Sequence, residues 1–174
     1  MIHDAVWAHV PGRPRDPEQL ARKLIDRLAS VEWHPWTVRL RRGIGGMAAG
    51  AIVGSTSYFA DSVRDASLEI GSTKYTPAVW SSAVNPEVKW LLLGYAFDTL
   101  RAGRVQLKTD VRNRRSQRAI ARLGARYEGT LRRHFRREDG TVRDSVMFSI
   151  TAEDWPQVNR RLAARLRESS AVRG

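Results

Sequence analysis

A run of small residues just before a strong helix start is the feature of this sequence best suited to chemistry. Asn85 suits the N-cap of that helix, Pro86 suits its first position, and Glu87 places negative charge in its first turn. Small side chains leave the backbone N–H groups of a helix start open, and such groups bind anions. The sequence therefore predicts a phosphate site formed by Trp80, Ser81, Ser82, Ala83, Val84 and Asn85.

Three further side chains could act directly in a reaction. Glu69 offers a carboxylate on a strand, His134 offers an imidazole, and Ser116 offers a hydroxyl on a short helix. Carboxylates and imidazoles serve as general bases, and a hydroxyl can pass on a proton. Each also has a structural interpretation that stays open. Glu69 could be solvated or paired with arginine, His134 could be a hydrogen-bonded or exposed histidine, and Ser116 could ease helix packing.

A strand and a long helix must position these groups. Residues 68–71 are typical of a buried strand, and the helix that begins near Asn85 carries an apolar stripe until Gly103 ends it. A helix this apolar is expected to pack on a sheet. The stripe comprises Val88, Leu91, Leu92, Tyr95, Ala96 and Leu100, broadened by Leu93 and Phe97.

Strands and helices alternate along the rest of the chain. Residues 1–15 are expected to be irregular because they contain two prolines and a glycine. A helix that begins at Asp16 has one apolar face that must dock on something, and a shorter helix is capped by Asn113 and closed by Gly124. The remaining predicted elements are a hairpin of residues 36–40 and 51–58 around a turn at 43–46, a strand at 104–111 with one wet face, a hairpin of 127–135 and 143–150, and a final helix at 152–167. The pattern indicates one domain over residues 1–174, of the α/β or α+β class with a mixed sheet.

Composition narrows the class of protein. The chain has 174 residues and no cysteine, which excludes disulfides, thiolate zinc sites and cysteine nucleophiles. No run of about eighteen apolar residues exists and the N-terminus lacks a signal-peptide layout, so we expect a cytoplasmic protein without a membrane partner. Thirty lysines and arginines against eighteen acidic residues give a net charge of +12, which attracts polyanions such as nucleic acid or a phosphorylated cofactor.

Several ordered blocks between residues 36 and 150 together resemble the GNAT N-acetyltransferases. The closest likeness is to the branch that acetylates the N-termini of ribosomal proteins. Beyond strand 68–71 and the loop at 80–85, the blocks are Leu91-Leu92-Leu93, Tyr95-Ala96-Phe97, Arg104-Val105-Gln106-Leu107, Asn113-Arg114-Arg115-Ser116 and Leu123-Gly124-Ala125.

The resemblance implies a fold and a reaction. The fold is a mixed, mostly antiparallel twisted sheet flanked by helices, in which two parallel strands, here 68–75 and 104–111, splay apart where the cofactor enters. The reaction moves an acyl group from acetyl-CoA to an amine of a small molecule, a peptide or a protein, and it needs no metal. By the same resemblance, the loop at 80–85 holds the pyrophosphate of coenzyme A.

The resemblance also suggests roles for single residues. Ser116 matches the serine that protonates the thiolate or fixes the cofactor sulfur, and Asn113 matches an asparagine that contacts the pantetheine arm. Glu69 lies on the strand where some members keep a general base. Arg118 could bind cofactor phosphates through bidentate hydrogen bonds, or it could be a solvated arginine.

This chain departs from the family pattern in two places. Ser81 and Ala83 stand where the branch often has glycine, so a loop that requires positive φ would be strained, and Ser81→Gly with Ala83→Gly would tighten coenzyme A binding. Family members also usually open with a strand and a helix ahead of the segment that resembles residues 7–30. Either the true start lies upstream, or the fold lacks its first strand and exposes a sheet edge that a neighbouring subunit, as in a homodimer, or a loop must cover.

A second interpretation is a binding module without catalysis. Such a module would keep the scaffold and use a basic surface for nucleic acid or an acidic partner. No helix-turn-helix spacing, zinc pattern or paired aromatic RNA signature accompanies the charge, so this interpretation is not favoured. The surface would comprise Arg112, Arg114, Arg115, Arg118, Arg132, Arg133, Arg136 and Arg137.

Overall fold

Strands and helices interleave along the chain in the order that the periodicities predict. The structure is a computed structural model, and it describes residues 4–7, 13–62, 64–137 and 139–171. Its helices are α1 (Asp4–Trp7), α2 (Pro17–Leu28), α3 (Val84–Gly94), α4 (Arg114–Leu123) and α5 (Trp155–Ala171). Its strands are β1 (Trp33–Arg39), β2 (Ile52–Ser62), β3 (Ser67–Tyr75), β4 (Arg104–Asp110), β5 (Arg126–Arg136) and β6 (Val142–Thr151).

The six strands form one sheet in the order β1-β2-β3-β4-β6-β5. All neighbours are antiparallel except β3 and β4, which run parallel. The predicted fold class, a mixed and mostly antiparallel sheet flanked by helices, is confirmed. Pro35 lies on β1 at the edge of this sheet, where a missing N–H is tolerated.

One face of the sheet carries the main core. It packs residues of α3, α4 and α5 against the sheet, and Leu93, Val105 and Ile150 are wholly buried there. A smaller cluster around Val38, Val53 and Val79 lies beneath the segment that leads into α3. The apolar stripe predicted for the long helix is confirmed as a packing face at Leu92, Leu93, Ala96 and Phe97. The prediction was wrong at Leu91, Tyr95 and Leu100, which are 58%, 43% and 49% exposed.

The long helix differs from its prediction at both ends. It begins at Val84 with Ala83 at the N-cap, so the prediction of Asn85 as N-cap was wrong. The Ser82 hydroxyl accepts the Val84 N–H at 3.2 Å, which starts the helix earlier. At the far end α3 passes into a π turn, Tyr95–Thr99, that ends before Gly103. In the last part of α3 the Tyr58 hydroxyl donates to the Leu92 carbonyl.

The N-terminal part also departs from expectation. A helical turn, α1, occupies Asp4–Trp7 within the stretch predicted to be irregular; residues 1–3 and 8–12 lie outside the described residues. Asp16 starts α2 as predicted, since its carboxylate accepts the Gln19 N–H at 2.7 Å. The predicted docking of the whole α2 face was wrong, because Ile25 and Leu28 are 65% and 68% exposed.

The second half of the chain follows its local signals closely. Asn113 caps α4 by accepting the Ser116 N–H at 3.0 Å, and Gly124 ends the helix with a φ of +101°. On β4 the predicted wet face fails at Asp110, which is 1% exposed and paired with Arg137 at 2.9 Å. The final helix begins at Trp155, three residues later than predicted.

Candidate active-site cleft

The site begins where the two parallel strands separate. β3 and β4 pair through only three residue pairs, from Ser67 with Arg104 to Glu69 with Gln106. Beyond that point β3 carries a bulge, with Ser72 at a φ of +48°, and a bulge bends the strand that contains it. The divergence opens a cleft of about 960 Å³ that passes through the sheet. The splaying predicted for these strands is thus present.

The loop before α3 lines this cleft and presents unused backbone donors. Within the described part of the chain, the N–H groups of Ser81, Ser82, Ala83 and Asn85 make no hydrogen bond. Ala83, the N-cap residue, forms no side-chain cap, and the Ser82 hydroxyl accepts the N–H of Val84. Several open N–H groups at a helix N-terminus form a favourable anion site. The loop therefore has the donors that the sequence predicted, although Ala83 and Val84 do not themselves line the cleft.

The two loop positions where the family branch often has glycine differ in backbone conformation. Ser81 has a φ of +58°, in the left-handed region that favours glycine, whereas Ala83 has a φ of −71°. The requirement for positive φ is therefore real at Ser81 and absent at Ala83. Ser82 fixes the turn instead, since its hydroxyl donates to the Val79 carbonyl at 2.6 Å.

A stacked pair bridges the two sides of the cleft mouth. The Arg115 guanidinium lies 3.8 Å from the centroid of the Trp80 ring, and the Trp80 indole N–H donates to the Tyr75 carbonyl at 3.0 Å. Both side chains line the cleft. Arg118, the arginine suggested by the sequence, is exposed and does not line it. Arg115 has the same guanidinium and lies beside the loop with the open N–H groups.

The start of α4 faces the loop from the opposite wall. Asn113 and Ser116 both line the cleft. The Asn113 side-chain oxygen is already occupied as the helix cap. The Ser116 hydroxyl makes no hydrogen bond within the described residues, so it is free to meet a molecule in the cleft.

Glu69 lies at the point where β3 and β4 part. It is 7% exposed, and the Lys108 ammonium approaches its carboxylate at 2.6 Å. Burial raises the pKa of Glu69, and the hydrogen bond and charge of Lys108 oppose that rise. A Cβ on Gly71 would lie 2.6 Å from the Glu69 carboxylate, so glycine at that position leaves the carboxylate its space.

Aromatic side chains surround Glu69 on the face of the sheet opposite α3. Phe59 is registered with Glu69 across β2 and β3, and its ring lies 4.6 Å from that of Trp33. Phe135 lines the same end of the cleft. His134 does not line the cleft; it packs on Phe135, and burial together with Lys108 and Arg143 lowers its pKa.

Lys89 is a cleft residue that the sequence analysis missed. It projects from α3, is 5% exposed, and donates to the hydroxyls of Thr73 at 2.7 Å and Thr56 at 3.2 Å. Burial lowers the pKa of Lys89 to about 7. A signal was available, because Lys89 falls within the apolar stripe of the helix, four residues before the wholly buried Leu93.

The arginines proposed as a basic surface do not behave as one set. Arg115 stacks on Trp80, and Arg137 is mostly buried against Asp110.

Among the described residues no helix is long and apolar enough to cross a membrane, and no group of three or more acidic or histidine side chains could hold a metal ion.

The chain is similar in sequence and in structure to known acetyltransferase domains. The model of the acetyltransferase (GNAT) domain family matches residues 1–126. A structure from T. thermophilus, described as a candidate acetyltransferase, is 38% identical with a TM-score of 0.83, and the match covers 95% of this chain and 84% of that one. No protein of curated function matches this sequence.

Two more distant structures share the fold. A GCN5-related N-acetyltransferase from Brucella melitensis is 23% identical with a TM-score of 0.83, over 94% of this chain and 72% of that one. Mycobacterium smegmatis RimJ, solved in complex with CoA-disulfide, is 23% identical with a TM-score of 0.69, over 86% of this chain and 68% of that one.

Proposed function

The chain belongs to the GNAT family of acetyltransferases, and from this premise we propose that it transfers an acyl group, usually acetyl, from acyl-CoA to a primary amine. The observation that carries the proposal is the set of unused N–H groups at Ser81, Ser82, Ala83 and Asn85, which stand at a cleft between diverging strands. A diphosphate satisfies several such donors at once, because each of its oxygens accepts hydrogen bonds.

The residues around the loop fit coenzyme A in charge and shape. The Ser81 hydroxyl adds a donor at the cleft wall, and Arg115 brings a guanidinium to the same mouth. RimJ from M. smegmatis holds a ligand of this class, a CoA disulfide. When bound, acyl-CoA supplies an activated thioester. The stack of Arg115 on Trp80 would then open or slide so that the guanidinium meets a phosphate.

Two side chains supply the proton transfers. Glu69, buried and with its pKa raised, accepts a proton from the acceptor ammonium or from the amine as the new N–C bond forms. Ser116, whose hydroxyl is free, donates a proton to the thiolate that leaves as the C–S bond breaks. Lys108 holds Glu69 in place at 2.6 Å. Positioning of amine and thioester in one cleft contributes much of the remaining rate.

The acceptor enters from the face opposite α3. Trp33, Phe59 and Phe135 line that end of the cleft and give an amine-bearing chain an apolar wall beside the Glu69 carboxylate. We propose a primary amine of a peptide, a protein N-terminus or a small molecule as acceptor. The resemblance of the sequence to the ribosomal-protein branch favours a peptide or protein N-terminus.

A two-step experiment tests the proposal. Acetyl-CoA is first added at increasing concentration while thermal unfolding is followed; a ligand at a hundredfold over its dissociation constant stabilises the fold by about 2.7 kcal/mol. A panel of amines and peptides is then screened with a free-thiol readout of coenzyme A release. Thermal stabilisation followed by thiol release with at least one acceptor is the expected result. Absence of any shift would contradict the proposal and favour the non-catalytic binding module.

A further inference from the structure

Lys89 is a buried lysine that has no carboxylate partner among the described residues. Its Nζ donates to the hydroxyls of Thr73 and Thr56, which are themselves 2.8 Å apart. Within the described residues no carboxylate lies at ion-pair distance from it. Burying an ammonium without an opposite charge is strongly unfavourable, and proteins usually avoid it by pairing the group or by releasing its proton.

Lys89 lies on the wall of the cleft, where a bound anion could balance its charge. Asn85, Pro86 and Lys89 lie within the first turn and a half of α3 and all line the cleft. Thr73, which accepts the shortest hydrogen bond from Lys89, follows directly on the bulge residue Ser72. The amine therefore lies on the cleft wall between the loop with the open N–H groups and the point where β3 bends away from β4.

We propose that Lys89 is a further cofactor-binding residue, whose amine takes up a proton from solvent when the polyanionic cofactor enters the cleft. The inference rests on the proposed function, since it requires acyl-CoA in this cleft. Those Lys89 amines that are neutral in the ligand-free protein become ammonium groups, and the new charge is balanced by the cofactor phosphates instead of by a protein carboxylate.

Among the titratable groups around this part of the cleft, Lys89 is the one whose pKa lies near neutral pH. In the ligand-free protein burial holds its pKa at about 7, and only Glu69 acts on it from the strands, in the opposite direction. Lys108 pairs with Glu69, while burial raises the pKa of Tyr58 on β2 and of Tyr75 on β3. A nearby anion favours the charged form of an amine, so cofactor binding raises the pKa of Lys89. By linkage, affinity must fall as pH rises above 7.

Calorimetry measures this linkage directly. Acetyl-CoA is titrated at pH 8 in two buffers that differ in heat of ionisation, into the wild-type chain and into Lys89→Met. At pH 8 roughly nine-tenths of the Lys89 amines are neutral in the ligand-free protein, because their pKa is about 7. Tenfold tighter binding to the charged form leaves about half of them neutral in the complex, so the wild-type chain should take up about 0.4 proton more than Lys89→Met. The affinity of Lys89→Met should be roughly tenfold lower at pH 6 and converge on that of the wild-type chain by pH 9.

Two variants serve as controls. Lys23→Met removes a lysine that does not line the cleft, and its proton uptake should equal that of the wild-type chain. Lys89→Arg keeps a permanent charge and should bind without uptake at this site. Methionine can fill the space of the lysine while Thr56 and Thr73 bond each other, and urea unfolding verifies that Lys89→Met folds. If it does not fold, the comparison is made with Lys89→Arg.

The outcomes separate the two proposals. Binding with equal proton uptake in the wild-type chain and Lys89→Met overturns the role of Lys89 and leaves the proposed function standing. If acetyl-CoA binds neither protein at any pH, the proposed function is overturned and the inference falls with it. A purely structural lysine would change stability without changing proton uptake, so the uptake itself is the deciding measurement.

Discussion

The helices α3 and α4 begin on opposite walls of the same cleft, yet their first turns are built differently. At α4 the Asn113 side chain accepts the Ser116 N–H at 3.0 Å, so the helix start is satisfied by the protein itself. At α3 the N-cap is Ala83, which contributes no side-chain hydrogen bond, and the preceding N–H groups are open. One helix start uses its donors for the fold, and the other leaves them for a ligand.

The difference shows how a stable scaffold can hold a binding site. An unsatisfied helix start gives up about 1 kcal/mol relative to one with a side-chain cap. The loss at α3 is offset by the apolar face of that helix, which buries Leu92 and Leu93 in the main core, and by Ala96 of the π turn that follows it. α4 has fewer buried residues, Ile120 and Leu123, and it keeps its cap.

Negative charge at the open helix start should have the largest effect. Ser81→Asp places a carboxylate on the cleft wall where the diphosphate is proposed to lie, and we expect acetyl-CoA affinity to fall by about a hundredfold through like-charge repulsion. Ser81→Asn is the matched control, because both residues tolerate the positive φ of this position and only one is charged. Calorimetric titration of both variants measures the effect. Equal affinities would mean that the open N–H groups do not bind the phosphates.

The hydroxyl at the capped helix start comes second. Ser116→Ala leaves the N–H bonded to Asn113 and removes only the side-chain donor, so we expect turnover to drop at least about tenfold while the dissociation constant of acetyl-CoA stays within about twofold. Ser116→Thr restores a hydroxyl and should recover part of the rate. Steady-state kinetics with the best acceptor amine provide the measurement. Unchanged turnover in Ser116→Ala would remove Ser116 from the mechanism.

Removal of the cap should affect stability more than binding. Asn113→Ala leaves the first turn of α4 without its acceptor and should lower the free energy of unfolding by about 1 kcal/mol. Asn113→Asp keeps an acceptor at the same place and should retain most of the stability. Urea denaturation monitored by circular dichroism compares the two. A loss as large in Asn113→Asp as in Asn113→Ala would show that the cap is not what stabilises this helix start.

The smallest effect is expected from glycine in the open loop. Because the ligand-free protein already holds Ser81 at a φ of +58°, Ser81→Gly relieves strain that is present before binding. We expect unfolding to become less favourable by about 0.5 kcal/mol, the relief of left-handed strain less the added freedom of the unfolded chain, with coenzyme A affinity unchanged. Thermal unfolding measures the change in stability, and calorimetric titration measures the affinity for coenzyme A. Ala83→Gly should bring no such gain, since that residue is in the right-handed region. A tighter dissociation constant in Ser81→Gly would instead restore the expectation from sequence that glycine improves binding.

Local signals in the sequence were sufficient for α4 and insufficient for the start of α3. Asn113 and Gly124 bracket one short helix, and each makes the capping contact that its residue type predicts. At α3 the Ser82 hydroxyl accepts a helix N–H and donates to Val79, and this pair of bonds moves the helix start ahead of Asn85. The start of α3 therefore depends on Ser82, which the sequence pattern assigns equally well to the preceding loop.

The cleft residues divide in the same way. Ser116 could be predicted as a cleft residue because it lies in a block that resembles a known family, and it does line the cleft. The choice between Arg115 and Arg118 depends on the rotation of α4, which is set when Ile120 and Leu123 pack on the sheet. Sequence spacing alone cannot supply that rotation for a basic helix.

From its order of periodic segments and its family blocks, the sequence by itself determined the mixed sheet, the two parallel strands, the small-residue loop and the hydroxyl of Ser116. Tertiary structure alone decided which donors stay open, that Arg115 meets Trp80, and that Lys89 is buried between two threonines from different strands. The reason is physical. Periodicity and capping are properties of neighbouring residues, whereas the environment of a charge is the sum of every element that packs around it.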